Sequence, residues 1–240
     1  MKKIISVFFA LSILFTLFPT GCNNINRPEL GNTVIMGDSY STFEGAIPSD
    51  YPAYYTKDSK DIGVDRVRKT WWDLLLSKTN TKLLLNSSYS GSTVCHTGYN
   101  GVDYSEISFL GRLEALIDSG YFSENRVDTF MIFGGLNDHW ANAPLGEINF
   151  ENVEEMDPFS FFPALSLMFQ AIREASPETR IIFIVCELLS DEMKDGISEI
   201  CAYYDVETIE PLGVELENGH PNKRGMKKIF DDILSYLNSN

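Results

Sequence analysis

The chain has 240 residues and a formal charge of −15, from 19 Lys and Arg against 34 Asp and Glu. That length can bury a substantial core without disulfide or metal staples, and it points to one domain with a tail. So acidic a surface repels phosphate backbones, which argues against nucleic acid as a partner and against a polybasic membrane-binding face.

In chain order, Lys2 and Lys3 precede an uncharged, largely apolar run from Ile4 to Phe18, followed by Pro19-Thr20-Gly21-Cys22. The run is short of the ~20 residues that span a bilayer, and basic, then apolar, then small is the pattern of a secretory signal. A small residue directly before Cys22 resembles the lipobox of bacterial lipoproteins, in which the cysteine is lipidated and becomes the new N-terminus. Pro19 departs from it, standing where Leu is usual. An ordinary cleaved signal or a plain membrane anchor is the alternative. Residues 1–21 are therefore expected to be a signal peptide, Cys22 a lipidation site, 22–31 a polar tether, and 32–240 the folded domain. The expected location is exported and lipid-anchored at the cell-envelope surface. Loss of Lys2 and Lys3 leaves a charge of −17, so attachment would come from acyl chains at about 0.8 kcal/mol per buried CH₂.

Short β-rich apolar runs follow at Thr33–Met36, Lys82–Leu85, Thr129–Phe133 and Arg180–Val185, with a weaker one near Val206–Ile209. Runs apolar on both faces suit strands buried on both sides of a parallel sheet. Helical patterns lie between them. Trp71, Leu74, Leu75 and Leu76 sit in the first, and Phe109, Leu113, Leu116 and Ile117 in the second. A third runs from about Phe159 to Ala175, apolar nearly all round. Glu192–Tyr203 is a fourth, and Met226, Ile229, Phe230, Ile233, Leu234 and Leu237 make one stripe on the last. Alternation of this kind predicts an α/β fold: a three-layer α/β/α sandwich with a parallel, flavodoxin-like sheet of about five strands. Two stretches, Phe43–Asp65 and Trp140–Asp157, are long for simple connections and suit binding walls or lids.

Of the four cysteines, none has Cys-x-x-Cys metal spacing. Cys95, Cys186 and Cys201 are expected to be buried thiols, with a Cys186–Cys201 disulfide as the alternative.

In an open parallel sheet, ligands bind outside the carboxyl ends of the strands, so polar residues that follow each strand converge on one edge. Here those are Gly37-Asp38-Ser39, then Asn86-Ser87-Ser88-Tyr89-Ser90-Gly91-Ser92, then Gly134-Gly135-Leu136-Asn137-Asp138. Glu217-Asn218-Gly219-His220-Pro221-Asn222 precedes the terminal helix. These four segments, in this order, resemble the SGNH (GDSL-type) hydrolases from residue 33 to about 238. Each motif is weak alone, and Gly-Asp-Ser by itself is ordinary turn chemistry. The resemblance implies Ser39 as nucleophile and His220 as base, with Ser39 N–H, Gly91 N–H and the Asn137 amide as oxyanion donors. The chemistry needs such a set: a serine hydroxyl requires a base, imidazole titrates near working pH, and the tetrahedral oxyanion requires preorganised donors.

His96 and His139 are rivals to His220, but only His220 precedes the terminal helix. The acid is the departure. The family pattern is Asp-x-x-His, and this chain has Glu217 there; Glu217 would orient His220 as the Glu of other triads does, unless Glu215, a backbone carbonyl or nothing does so. Asp38 and Asp138 are expected to fix loops through backbone N–H groups. Tyr40, Phe43, Tyr51, Tyr54, Tyr55 and Trp140 could stack on sugar faces, line an acyl pocket or simply pack.

The resulting expectation is an exported serine esterase cleaving a small ester, O-acetyl on carbohydrate above all, with no metal or cofactor. The alternatives are a lipase- or lysophospholipase-like esterase, an acyltransferase, and a non-catalytic glycan-binding protein on a degenerate hydrolase fold.

Overall fold

The computed structural model describes residues 28–151 and 155–239. The signal segment and Cys22 lie outside the described residues, as does the tether up to Arg27. Five parallel strands form the sheet: β1 (Glu29–Gly37), β2 (Asn80–Ser88), β3 (Thr129–Phe133), β4 (Arg180–Ile184) and β5 (Glu207–Ile209), in the order β2-β1-β3-β4-β5. The expected fold class holds. β1 begins inside the segment read as a tether, because Leu30 is 1% exposed and Glu29 already pairs with Asn80. β2 likewise runs on through Asn86, Ser87 and Ser88, all buried, since their polar groups find partners at the site.

Right-handed crossovers put helices on both faces of such a sheet. α1 (Trp71–Leu76) packs with α7 (Lys223–Ser239), while α5 (Phe161–Ala175) packs with α2 (Phe109–Asp118) and α6 (Asp191–Tyr203). Two short helices, α3 (Tyr121–Glu124) and α4 (Leu136–Ala141), were not legible as periodic patterns. A two-stranded hairpin, β6 (Leu216–Glu217) with β7 (His220–Pro221), precedes α7. Trp71 and Trp72 are core, their indole N–H groups donating to Ser41 Oγ at 3.2 Å and Ser41 O at 2.9 Å.

Cys95, Cys186 and Cys201 are free and buried. Burial pushes the thiols of Cys186 and Cys201 up to about 12, so they are inert core sulfurs. No helix among the described residues is long and apolar enough to cross a membrane. The strand order reverses at β1 and β3, and that crevice is where ligands bind in open α/β sheets.

Candidate active site

β1 ends at Gly37, and Asp38 then caps a 3-10 turn over Ser39–Ser41, its Oδ1 accepting the Tyr40 N–H at 2.9 Å. The turn lifts Ser39 out of the strand line. Its Oγ lies 3.0 Å from His220 Nε2. On the other side of the ring, His220 Nδ1 is 3.1 Å from the Asn218 carbonyl oxygen. A carbonyl only accepts, so the proton of the neutral ring belongs on Nδ1 and the Nε2 lone pair faces the serine hydroxyl. That is the tautomer a general base needs.

The hairpin explains the carbonyl. Glu217 and His220 face each other across β6 and β7, joined by Asn218 at φ +53° and Gly219 at φ +76°. Two left-handed central residues are the mark of an Asn-Gly hairpin turn, which suits the twist of the flanking strands. The turn aims the Asn218 carbonyl at Nδ1. The expectation that Glu217 orients the histidine is corrected here: among the described residues its carboxylate makes no hydrogen bond to the ring, and Glu217 is exposed. Its charge acts instead on the Tyr54 phenol, whose pKa burial and Glu217 both raise. Glu215 also points away from the ring, accepting from Asn222 Nδ2 at 2.6 Å.

Ser39 N–H and Gly91 N–H have no internal partners among the described residues. Gly91 sits at φ +85° with open space where a side chain would begin, a conformation that favours glycine and lets backbone approach a ligand closely. Asn137 opens α4 after β3. Its Nδ2 donates to Ser92 O at 3.0 Å and, more weakly, to Asp38 Oδ2 at 3.3 Å. Tyr99 Oη donates to Asn137 Oδ1 at 2.7 Å, which fixes the amide with its N–H₂ toward the site. The loops after β1, β2 and β3 are thereby tied together.

Asp138 binds the Val94 N–H at 2.8 Å and the Cys95 N–H at 3.0 Å, as expected of a loop-fixing carboxylate. Burial pushes Asp138 up to about 6 and Asp38 to about 7, against the pull of those N–H groups and, for Asp38, of Tyr40 N–H and the Arg112 charge.

Three parts of the site escaped the sequence reading. Arg112, 3% exposed in α2, donates to the carbonyls of Ser87, of Gly37 at 3.3 Å and of Ile107 at 3.0 Å, and to Ser92 Oγ at 3.1 Å. It ties the carboxyl ends of β1 and β2 to the Gly91 loop, and burial lowers it to about 10. Its position in a helical stripe gave no sign of this. Tyr99 lies in a loop with no pattern. Tyr40 and Tyr55 stood out only as loop aromatics, yet their hydroxyls donate to Gly219 O and Pro221 O, each at 2.8 Å.

The other histidines stand apart. His96 is buried against Phe159, its ring centroid 5.4 Å away, and His139 is exposed on α4. Trp140 is 41% exposed, its ring edge 3.8 Å from where a side chain on Gly219 would begin. No cluster of His, Cys, Asp and Glu able to hold a metal occurs among the described residues.

Known structures share this frame. A crystal structure described as a GDSL-like lipase from Bacteroides uniformis is 35% identical, with a TM-score of 0.78 over 88% of this chain and 97% of that chain. Its counterpart from Bacteroides ovatus is 32% identical, with a TM-score of 0.79 over 87% of this chain and 99% of that one. A family two carbohydrate esterase from Clostridium thermocellum, in complex with cellohexaose, shares the fold at 15% identity and a TM-score of 0.59, over 88% of this chain and 65% of that one. No curated protein matches the chain. The GDSL-like lipase/acylhydrolase model matches residues 32–237, from within β1 into the end of α7. The chain belongs to the GDSL-like lipase/acylhydrolase family.

Proposed function

We propose that this chain is an exported serine esterase that removes a small acyl group, acetyl above all, from carbohydrate. The observation that carries the reading is the 3.0 Å contact between Ser39 Oγ and His220 Nε2, on an imidazole whose Nδ1 is already committed to Asn218 O. Ser39 Oγ attacks the ester carbonyl as its proton passes to Nε2. The new oxyanion takes the open N–H groups of Ser39 and Gly91, and Asn137 Nδ2 turns to it from its long contact with Asp38. The imidazolium then protonates the leaving alcohol oxygen, and the acyl group stays on Ser39. Water, deprotonated by the same His220, attacks the acyl-enzyme; the bond from the acyl carbon to Ser39 Oγ breaks, the imidazolium returns its proton to Oγ, and the carboxylic acid leaves.

The substrate class rests on two further features. Trp140, 41% exposed, stands beside the hairpin that carries His220, where a sugar platform would. The signal and Cys22 patterns at residues 1–22 favour display at the cell envelope by a lipid anchor, ahead of a domain that begins with β1.

The test is acetate release from acetylated oligosaccharides set against p-nitrophenyl esters of rising chain length. Acetyl esters should be turned over best, with activity falling as the chain grows; a preference for long chains would move the reading to lipid hydrolysis. Trp140→Ala is expected to raise KM for the acetylated oligosaccharide by about 10-fold, the ~1–1.5 kcal/mol of one lost aromatic platform, and to leave p-nitrophenyl acetate unaffected.

A histidine served by a carbonyl has its own signature. Glu217→Gln is expected to change kcat/KM by less than about 3-fold, where loss of a true triad acid costs about 10⁴. Burial lowers the His220 pKa below the ordinary 6.5, the Asn218 carbonyl opposing it only in part. The active form is the neutral ring, so kcat/KM should fall as pH drops, with its midpoint on the acid side of the ordinary imidazole value. A log kcat/KM profile for wild type and Glu217→Gln reads both points together.

A further inference from the structure

The bond from Nδ1 to a carbonyl fixes one edge of the imidazole and leaves its plane free. Rotation about the terminal χ angle of a histidine is broad, and a single edge contact does not stop the ring tilting away from Ser39. In a triad the carboxylate limits this tilt. Here the Tyr54 ring lies face to face with the His220 ring, centroids 3.4 Å apart and planes 8° from parallel. Tyr54 N–H donates to Thr42 Oγ1 at 2.9 Å, and Thr42 Oγ1 in turn donates to Ser39 O at 3.0 Å, so the stacking ring is tied to the nucleophile's own turn. Tyr55 packs edge-on to Tyr54, centroids 4.9 Å apart. Tyr40 and Tyr55, from the same stretch of chain, hold the carbonyls just before and just after His220.

On the serine-esterase reading above, we propose that Tyr54 is a positioning residue that stands in for the missing triad acid. The Asn218 carbonyl selects the tautomer and Tyr54 fixes the plane. The π face of a phenol also attracts a cation lying over it, so the stack favours the imidazolium formed as Ser39 attacks. Tyr54 is thereby removed from the pool of sugar-stacking aromatics, because one of its faces is already covered by the imidazole.

The test uses Tyr54→Leu and Tyr54→Phe, each assayed on p-nitrophenyl acetate and on an acetylated oligosaccharide, with thermal midpoints recorded. Tyr54→Leu is expected to lower kcat about 10- to 100-fold on both substrates with KM little changed, the size of loss that follows from a misplaced catalytic group. Tyr54→Phe, which keeps the ring face, should restore kcat to within about 3-fold of wild type. A rise in KM confined to the oligosaccharide would make Tyr54 a sugar contact and overturn the proposal. So would a Tyr54→Leu enzyme with wild-type kcat, or a kcat loss in both variants that follows a lowered midpoint. If wild type itself turns over no ester, the serine-esterase reading fails, and that result is distinct from all of these.

Discussion

Ser39→Ala is expected to lower kcat/KM for p-nitrophenyl acetate by about 10⁴–10⁶-fold, the cost of removing a nucleophile whose proton has a dedicated acceptor. The lost hydroxyl contributes one hydrogen bond, to His220 Nε2, so stability falls by only about 1 kcal/mol, or roughly 2–4 °C in the thermal midpoint. His220→Ala should cost a similar factor, and the double variant little more than either single one, because a nucleophile without its base and a base without its nucleophile are equally idle. Additive losses would mean that the two side chains act separately. Steady-state kinetics on the three variants, with midpoints alongside, reads all of this.

Asn137→Ala is expected to lower kcat by about 10²–10³-fold with KM nearly unchanged, since an oxyanion donor acts on the transition state rather than the bound ester. The amide has two tasks. At rest it links Ser92 O and Asp38 Oδ2, so the substitution also loosens the loops around Gly91 by the ~1–3 kcal/mol of lost buried hydrogen bonds. A kcat loss that appears at assay temperatures far below the lowered midpoint belongs to the oxyanion. One that vanishes there belongs to the loops. Partial retention in Tyr99→Phe, which removes only the hydroxyl that holds the amide, would separate orientation from presence.

Much of the fold was readable because it rests on hydrophobic patterning. β3 and β4 are apolar on both faces and bounded by turn residues, and α7 carries its stripe without interruption, so both emerge from periodicity alone. β1 and β2 extend beyond their apolar runs for a different reason. Leu30 at one end and Asn86 to Ser88 at the other are held by partners distant in sequence, and no local signal reports that. The site residues were legible as types in order: Ser39, Gly91, Asn137 and His220 each follow or precede a recognisable element.

What holds them was not legible. The Asn218-Gly219 turn sits in the sequence as an ordinary hairpin signal, but which group it presents to Nδ1 depends on how two residues of β6 pair with two of β7. A Glu three positions before the His read as the acid because sequence registers residue type and spacing and carries no carbonyl directions. Arg112 was hidden for a related reason. On a helix it occupies an apolar stripe, and only the packing of α2 under the strand ends turns it into a donor for the Gly37 and Ser87 carbonyls. Tyr54 was visible as an aromatic with its role left open, since a ring drawn to a histidine and a ring open to sugar look alike in sequence.

In the proposed mechanism Ser39 is a nucleophile activated by His220 with no carboxylate behind it. A fluorophosphonate reacts with such a serine, losing fluoride and leaving its phosphonyl group on Oγ, so intact-mass and peptide mass spectrometry read the activation of Ser39. The expected result is one adduct per chain, on Ser39, formed at near wild-type rate in Glu217→Gln and absent from His220→Ala. An unlabelled wild-type chain, or labelling that disappears in Glu217→Gln, would contradict it.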